Sequence, residues 1–117
     1  MQDELAEIRD FLATCPPFDT LDNAGLDDLP RHFVIRYLRR GTAFPPVDEP
    51  CLWVVRQGAI ELRTGDGQLA RRLGEGDIHD APCLPESEES RWAGHAVEDT
   101  LLYVLPKAEL EALWRDH

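Results

Sequence analysis

The chain has 117 residues, with 12 Lys and Arg against 23 Asp and Glu, for a formal net charge of −11. That length suits one compact domain and excludes two, while 43% hydrophobic and 30% charged residues exclude a disordered chain. So acidic a surface repels phosphate backbones and anionic lipids, which argues against nucleic acid or a membrane as partner.

In chain order, Leu5, Ile8, Phe11 and Leu12 share one helical face, with Glu4, Glu7, Arg9 and Asp10 opposite. Pro16-Pro17 stops that helix. Asp22 is placed to cap a second helix running to about Leu29, with Pro30 closing it. Asp27 and Asp28 fall late in this helix, where negative charge is unfavourable, so packing must hold it. From Phe33 the pattern changes to short strands: Phe33–Leu38, then a turn at Arg39-Arg40-Gly41 and a loop marked by Pro45, Pro46 and Pro50. Leu52–Val55 is an apolar, β-prone run that Gly58 breaks, and Ala59–Arg63 resumes with Ile60 and Leu62 on one face. Thr64-Gly65-Asp66-Gly67 is a hairpin signal. Leu69–Leu73 returns from it to a turn at Gly74-Glu75-Gly76-Asp77. Arg91–Val97 and Thr100–Leu105 are two more strands, and Pro106 suits the first position of a last helix whose face is Leu110, Leu113 and Trp114.

These strands predict a mainly β domain, a small antiparallel β-roll or jelly-roll barrel with flanking helices. One domain is expected over 1–117: helices over 1–30, the roll over 33–105 and a C-terminal helix over 106–115. Met1-Gln2-Asp3-Glu4 has no basic or apolar leader pattern, no apolar run approaches a membrane span, and Cys15, Cys51 and Cys83 form no CxxC pair. A cytoplasmic chain with buried, inert thiols is expected.

The order of parts resembles the cyclic-nucleotide-binding domain family from about Ile8 to Trp114. Leu52-Trp53-Val54-Val55-Arg56-Gln57-Gly58-Ala59-Ile60-Glu61-Leu62 looks like the family's strand–Gly–strand segment. Leu73-Gly74-Glu75-Gly76-Asp77-Ile78 looks like the glycine turn leading to its phosphate-binding cassette, and Glu98–Pro106 like its closing strand. The resemblance implies a cassette at Ile78-His79-Asp80-Ala81-Pro82-Cys83-Leu84, following Gly76 and ending after a loop at Arg91 and Trp92. In such a cassette a short helix offers backbone N–H groups to the cyclic phosphate, one Arg adds charge, and a Glu accepts from the ribose hydroxyl.

Arg91 matches the arginine, and Cys83 and Leu84 can offer amides. Ala81 stands where the Glu belongs, leaving hydrogen bonds worth about 0.5–1.5 kcal/mol each without an acceptor. Asp80 stands where a Gly lets the phosphate approach; at about 5 Å its repulsion is roughly 3 kcal/mol. Together these terms weaken the usual ligand by about three orders of magnitude. Trp92 can stack on a base or fill its space. Arg91 can hold an anion or pair with Asp80 or the acidic loop Glu86-Ser87-Glu88-Glu89.

The resemblance implies a non-enzymatic regulatory module without cofactor, its ligand a small anionic nucleotide held weakly or with altered specificity. Similar modules stand at the front of bacterial proteins that continue into CBS-domain pairs and a nucleotidyltransferase-like region, so a downstream domain is expected as partner. One alternative is a ligand-free docking or homodimerisation module using the apolar faces of the terminal helices, Leu5, Ile8 and Leu12 with Leu110, Leu113 and Trp114. Another is a cupin-like metal protein using His79 and His95, although no HxH pair exists. The sequence carries no catalytic elbow, P-loop or HExxH motif.

Overall fold

The two longest apolar runs become the two central strands of the molecule. The computed structural model describes residues 2–15, 18–46, 51–79 and 92–116. Strand β3 (Cys51–Gln57) pairs antiparallel with β8 (Thr100–Pro106). They form the middle of a four-stranded sheet ordered β1-β8-β3-β6, where β1 is Val34–Leu38 and β6 is Ile78–His79. A second antiparallel sheet is ordered β2-β7-β4-β5, from β2 (Ala43–Phe44), β4 (Ile60–Arg63), β5 (Leu69–Leu73) and β7 (Ala93–Ala96). The expected antiparallel β-roll with flanking helices is the observed architecture.

Strand residues alternate between faces, so β3 and β8 each supply two cores. Trp53, Val55, Leu102 and Val104 face the second sheet, meeting Phe44, Ile60, Leu62, Leu73 and Ala96. Leu52, Val54, Tyr103 and Leu105 face the helices, meeting Ile8, Leu12, Phe18, Leu29 and Leu113. Burial on both faces explains why these strands read as continuous apolar runs rather than alternating ones. The hairpin signal is the β4–β5 loop, closed by the Thr64 amide donating to the Gln68 carbonyl at 2.9 Å. Gly94 in β7 passes so close to β4 that a Cβ there would lie 1.6 Å from the Glu61 carbonyl oxygen, so only glycine fits this crossing.

Helix α1 (Gln2–Leu12) buries Ile8 and Leu12, while Leu5, expected on the same face, is 48% exposed at its outer end. Helix α2 (Asn23–Asp28) is capped as read, with the Asp22 carboxylate accepting from the Gly25 amide at 2.7 Å. Its awkward late carboxylates are paired: Asp27 with Arg9 at 2.6 Å, and Asp28 with Arg31 and His32. The helix ends where expected, at Asp28 with Leu29 as its C-cap just before Pro30. The chain continues into a 3₁₀ turn, Leu29–His32, whose opening position needs no N–H from Pro30. Pro106 is not the start of the last helix; it pairs with Cys51 as the final rung of β8, and α3 is Lys107–Asp116. Cys15 is buried, which pushes its thiol pKa up and keeps it protonated. The side chains of Cys51 and Cys83 lie outside the described residues.

His32 joins the two ends of the chain. Its Nδ1 lies 2.6 Å from Glu109 on α3 and its Nε2 lies 3.1 Å from Asp28. Burial alone would lower this imidazole's pKa, but the bonds to Glu109 and Asp28 and their charges outweigh it, holding the pKa above its ordinary value. The bridging imidazolium therefore stabilises the fold fully below the unfolded-state value of about 6.5, and that contribution drains away as pH rises through the raised folded value. Thermal melts of the chain at about pH 6 and about pH 9 should show a larger fall in Tm than the same melts of His32→Gln. Equal falls in the two proteins would show that the clamp carries no charge.

Candidate ligand-binding site

The expected cassette joins the edge of one sheet to the interior of the other. Strand β6 ends at His79 on the outer edge of the first sheet, and Trp92 leads directly into β7 inside the second. Asp80, Ala81, Pro82, Cys83, Leu84 and Arg91 lie outside the described residues. Their two flanks and the walls beside them are described.

Gly76 holds the near flank. Its φ of +86° is left-handed, a conformation that glycine adopts without strain. The Gly76 amide donates to the Val55 carbonyl at 2.8 Å, and the Val55 amide donates to the Asp77 carbonyl at 3.0 Å. Asp77 also accepts from the Gly74 amide at 2.8 Å. Gly76 thus sets the direction of β6, and its amide is engaged within the fold rather than presented to a ligand.

This turn is also tied to the helices. The Arg56 guanidinium reaches Glu75 and, from its other nitrogen, Glu7 of α1, each at 3.3 Å. It lies 4.6 Å from the Phe11 ring centre. One side chain therefore links the turn before residues 80–91 to the N-terminal helix.

Trp92 holds the far flank. It is half-buried and packed against the inter-sheet core. Beneath the flanks, Trp53, Phe44 and His79 form an aromatic wall. Phe44 meets Trp53 edge-on at 5.1 Å and His79 at 5.8 Å. Trp53 is fully buried, as expected, and its indole N–H has no hydrogen-bond partner among the described residues.

A cation absent from the expected set lies on this side of the roll. In the β4–β5 register Arg71 is opposite Leu62, and Ile60 is opposite Leu73, so Arg71 shares their inward face. Its Nη1 donates to the Ile78 carbonyl at 3.2 Å, spanning from the edge of one sheet to the edge of the other. The signal in the sequence is the two-residue spacing of Arg71 and Leu73, which a register shift beside Leu62 interrupts before Leu69.

The two histidines are separated by a sheet. His79 is buried beside Phe44 between the sheets, whereas His95, opposite Glu61, has the outward parity of β4. This rules out a shared ion on His79 and His95 and corrects the cupin-like alternative. Among the described residues no group of three His, Cys, Asp or Glu side chains is placed to hold a metal. Of the expected interface residues, Leu113 is fully buried in the helix-side core and offers no surface. Leu110 is partly buried there, and Trp114, 44% exposed, packs edge-on against Phe18 at 5.9 Å. No helix of the described residues is long and apolar enough to cross a membrane.

A family model described as the cyclic nucleotide-binding domain matches residues 35–117. Among solved structures, the catabolite activator protein of Thermus thermophilus is 27% identical, covering 85% of this chain and 49% of its own, with a TM-score of 0.69. The sensor domain of the transcriptional regulator DNR from Pseudomonas aeruginosa is 14% identical over 92% of this chain and 80% of its own, with a TM-score of 0.76. The regulatory subunit of a cAMP-independent protein kinase A from Trypanosoma cruzi, bound to guanosine, is 16% identical over 97% of this chain and 42% of its own, with a TM-score of 0.76. The chain thus spans less than half the length of the Thermus and Trypanosoma chains. No curated protein matches it.

Trp92→Ala should lower unfolding free energy by about 2–3 kcal/mol in urea titrations, the lower part of the range for a large aromatic because the ring is partly exposed. A loss below about 0.5 kcal/mol would show that the ring does not support the inter-sheet core.

Proposed function

The chain belongs to the cyclic nucleotide-binding domain family, and from that membership we propose that it is a non-enzymatic sensor module with an altered pocket, holding cyclic AMP weakly or preferring another nucleotide. The observation that carries this is the identity of two residues in a chain that otherwise matches the family: the resemblance puts Ala81, which has no acceptor, at the ribose-contact position and Asp80 at the position of a close-approach glycine. Three features on the flanks support it. The Gly76 amide is already engaged, Trp92 leans on the inter-sheet core, and Arg71 brings a cation to the inward face. That the cAMP-independent Trypanosoma subunit is bound to guanosine supports the same reading, because a structural neighbour takes a nucleoside without phosphate.

Arg71 supplies positive charge for a small anionic nucleotide, while the charge of Arg91 is offset by the carboxylates of Asp80, Glu86, Glu88 and Glu89 that accompany it in sequence. A ligand acts through the module by favouring one arrangement of its flanking helices over another. The Arg56 bridge from Glu75 to Glu7 is the route by which movement near the cassette reaches α1. We place the module in a cytoplasmic bacterial signalling protein with a further domain after it, of the CBS-pair and nucleotidyltransferase-like kind. Its coverage of less than half of two longer relatives supports the presence of that further domain.

Isothermal calorimetry with cyclic AMP should give a dissociation constant weaker than about 100 μM, and Arg91→Ala should change it by less than about threefold. Low-micromolar binding that Arg91→Ala abolishes would contradict the proposal.

A further inference from the structure

Strand β1 is the least covered element of the first sheet. It is the terminal strand and, among the described residues, pairs only with β8, so the backbone groups of its other edge are free to bond a further strand. It is open on both faces as well: Val34 is 52% exposed, Ile35 44% and Tyr37 59%, with Leu38 buried. The register puts Val34 and Arg36 on the face of Val104 and Leu102, and Ile35 and Tyr37 on the face of Tyr103 and Leu101.

Charge distinguishes this edge from the rest of the molecule. Residues 29–46 contain no Asp or Glu but hold Arg31, Arg36, Arg39 and Arg40, four of the twelve basic residues in a chain of net charge −11. Arg31 is occupied by Asp28. Arg36, Arg39 and Arg40 are exposed and make no ion pair among the described residues. Asp99 accepts from the Arg40 amide at 2.9 Å and from the Tyr37 hydroxyl, and its charge faces Arg39 and Arg40 across the turn.

We propose that β1 is a docking edge for an acidic, extended polypeptide segment, which adds a strand along Val34–Leu38 and sets its carboxylates against Arg36, Arg39 and Arg40. Backbone hydrogen bonds supply affinity in such strand addition, and alternate side chains supply selectivity. Ile35 and Tyr37 offer apolar contact on one face, and Val34 offers it on the other. A second copy of the chain fits poorly. Antiparallel pairing of β1 with itself about its middle residue sets Arg36 against Arg36, and the rest of each copy is strongly acidic. Nucleic acid fits less well because it has no extended peptide backbone to pair along the edge of β1.

The test uses the full chain and a fluorescent peptide of about ten residues alternating glutamate and valine, with a lysine–valine peptide as control. The acidic peptide should bind by anisotropy, about tenfold or more tighter than the basic one, and should weaken as salt is raised. Reversing Arg36 and Arg39 together, as Arg36→Glu with Arg39→Glu, should weaken it by about tenfold. Hydrogen exchange should slow at the amides of Val34–Leu38 in the unaltered chain when peptide is added. Equal binding of the two peptides, no binding at about 1 mM, or protection at another element would overturn the proposal. Protection of β1 in a peptide-free dimer, or tighter binding of a single-stranded oligonucleotide, would also overturn it by assigning the edge to a different occupant.

Discussion

The pairing of β3 with β8 is the constraint on which the other parts depend. Both strands are apolar on both faces, so they cannot lie at a surface. They require a second sheet on one side and a layer of helices on the other. Within the second sheet, β7 runs so close to β4 that position 94 tolerates only glycine. The helical layer is held by Ile8, Leu12, Phe18 and Leu113 and is fastened across its ends by His32 between Asp28 and Glu109. The site inherits its position from this arrangement, because β6 lies beside β3 and β7 lies in the sheet opposite. The described flanks, His79 and Trp92, therefore lie one on each sheet.

Features decided by neighbours in sequence were legible in advance. The Asp22 cap, the Thr64–Gly67 turn and the burial of Ile60 and Leu62 follow from local chemistry and alternation. The apolar stretches of β3 and β8 declared themselves as buried strands by composition alone. Features decided at long range were not legible. Nothing local to Pro106 says that its strand still has a partner in Cys51, so a favourable helix-start residue was read as one. Nothing local to His32 says that Glu109 will arrive beside it. Leu113 and Trp114 share a helix face in sequence, yet the helix-side core takes the first and leaves the second at its rim.

The candidate site divides in the same way. Its cassette residues were identified by resemblance, whereas the roles of its flanks required coordinates. Gly76 reads in sequence as part of a glycine turn, and the coordinates add that its amide is bonded to the Val55 carbonyl. Arg71 is not singled out in the sequence; register sets it, exposed at the sheet edge, on the face of Leu62, while Arg72 shares the face of Glu61. His79 and His95 are both near the mouth in sequence terms, and alternation puts a sheet between their side chains. The resulting picture is a family fold preserved through its two cores, with altered chemistry at the place where a nucleotide would rest.

That picture is most directly tested by following the Trp92 indole and the Gly76 amide by nuclear magnetic resonance as cyclic AMP is added, with the buried Trp53 indole as an internal reference. The account predicts small, gradual shifts at Trp92 that stay unsaturated at about 1 mM, with Gly76 unmoved. A second set of resonances appearing below one equivalent, with Trp92 among them, would mean that the pocket grips cyclic AMP tightly and would contradict the account.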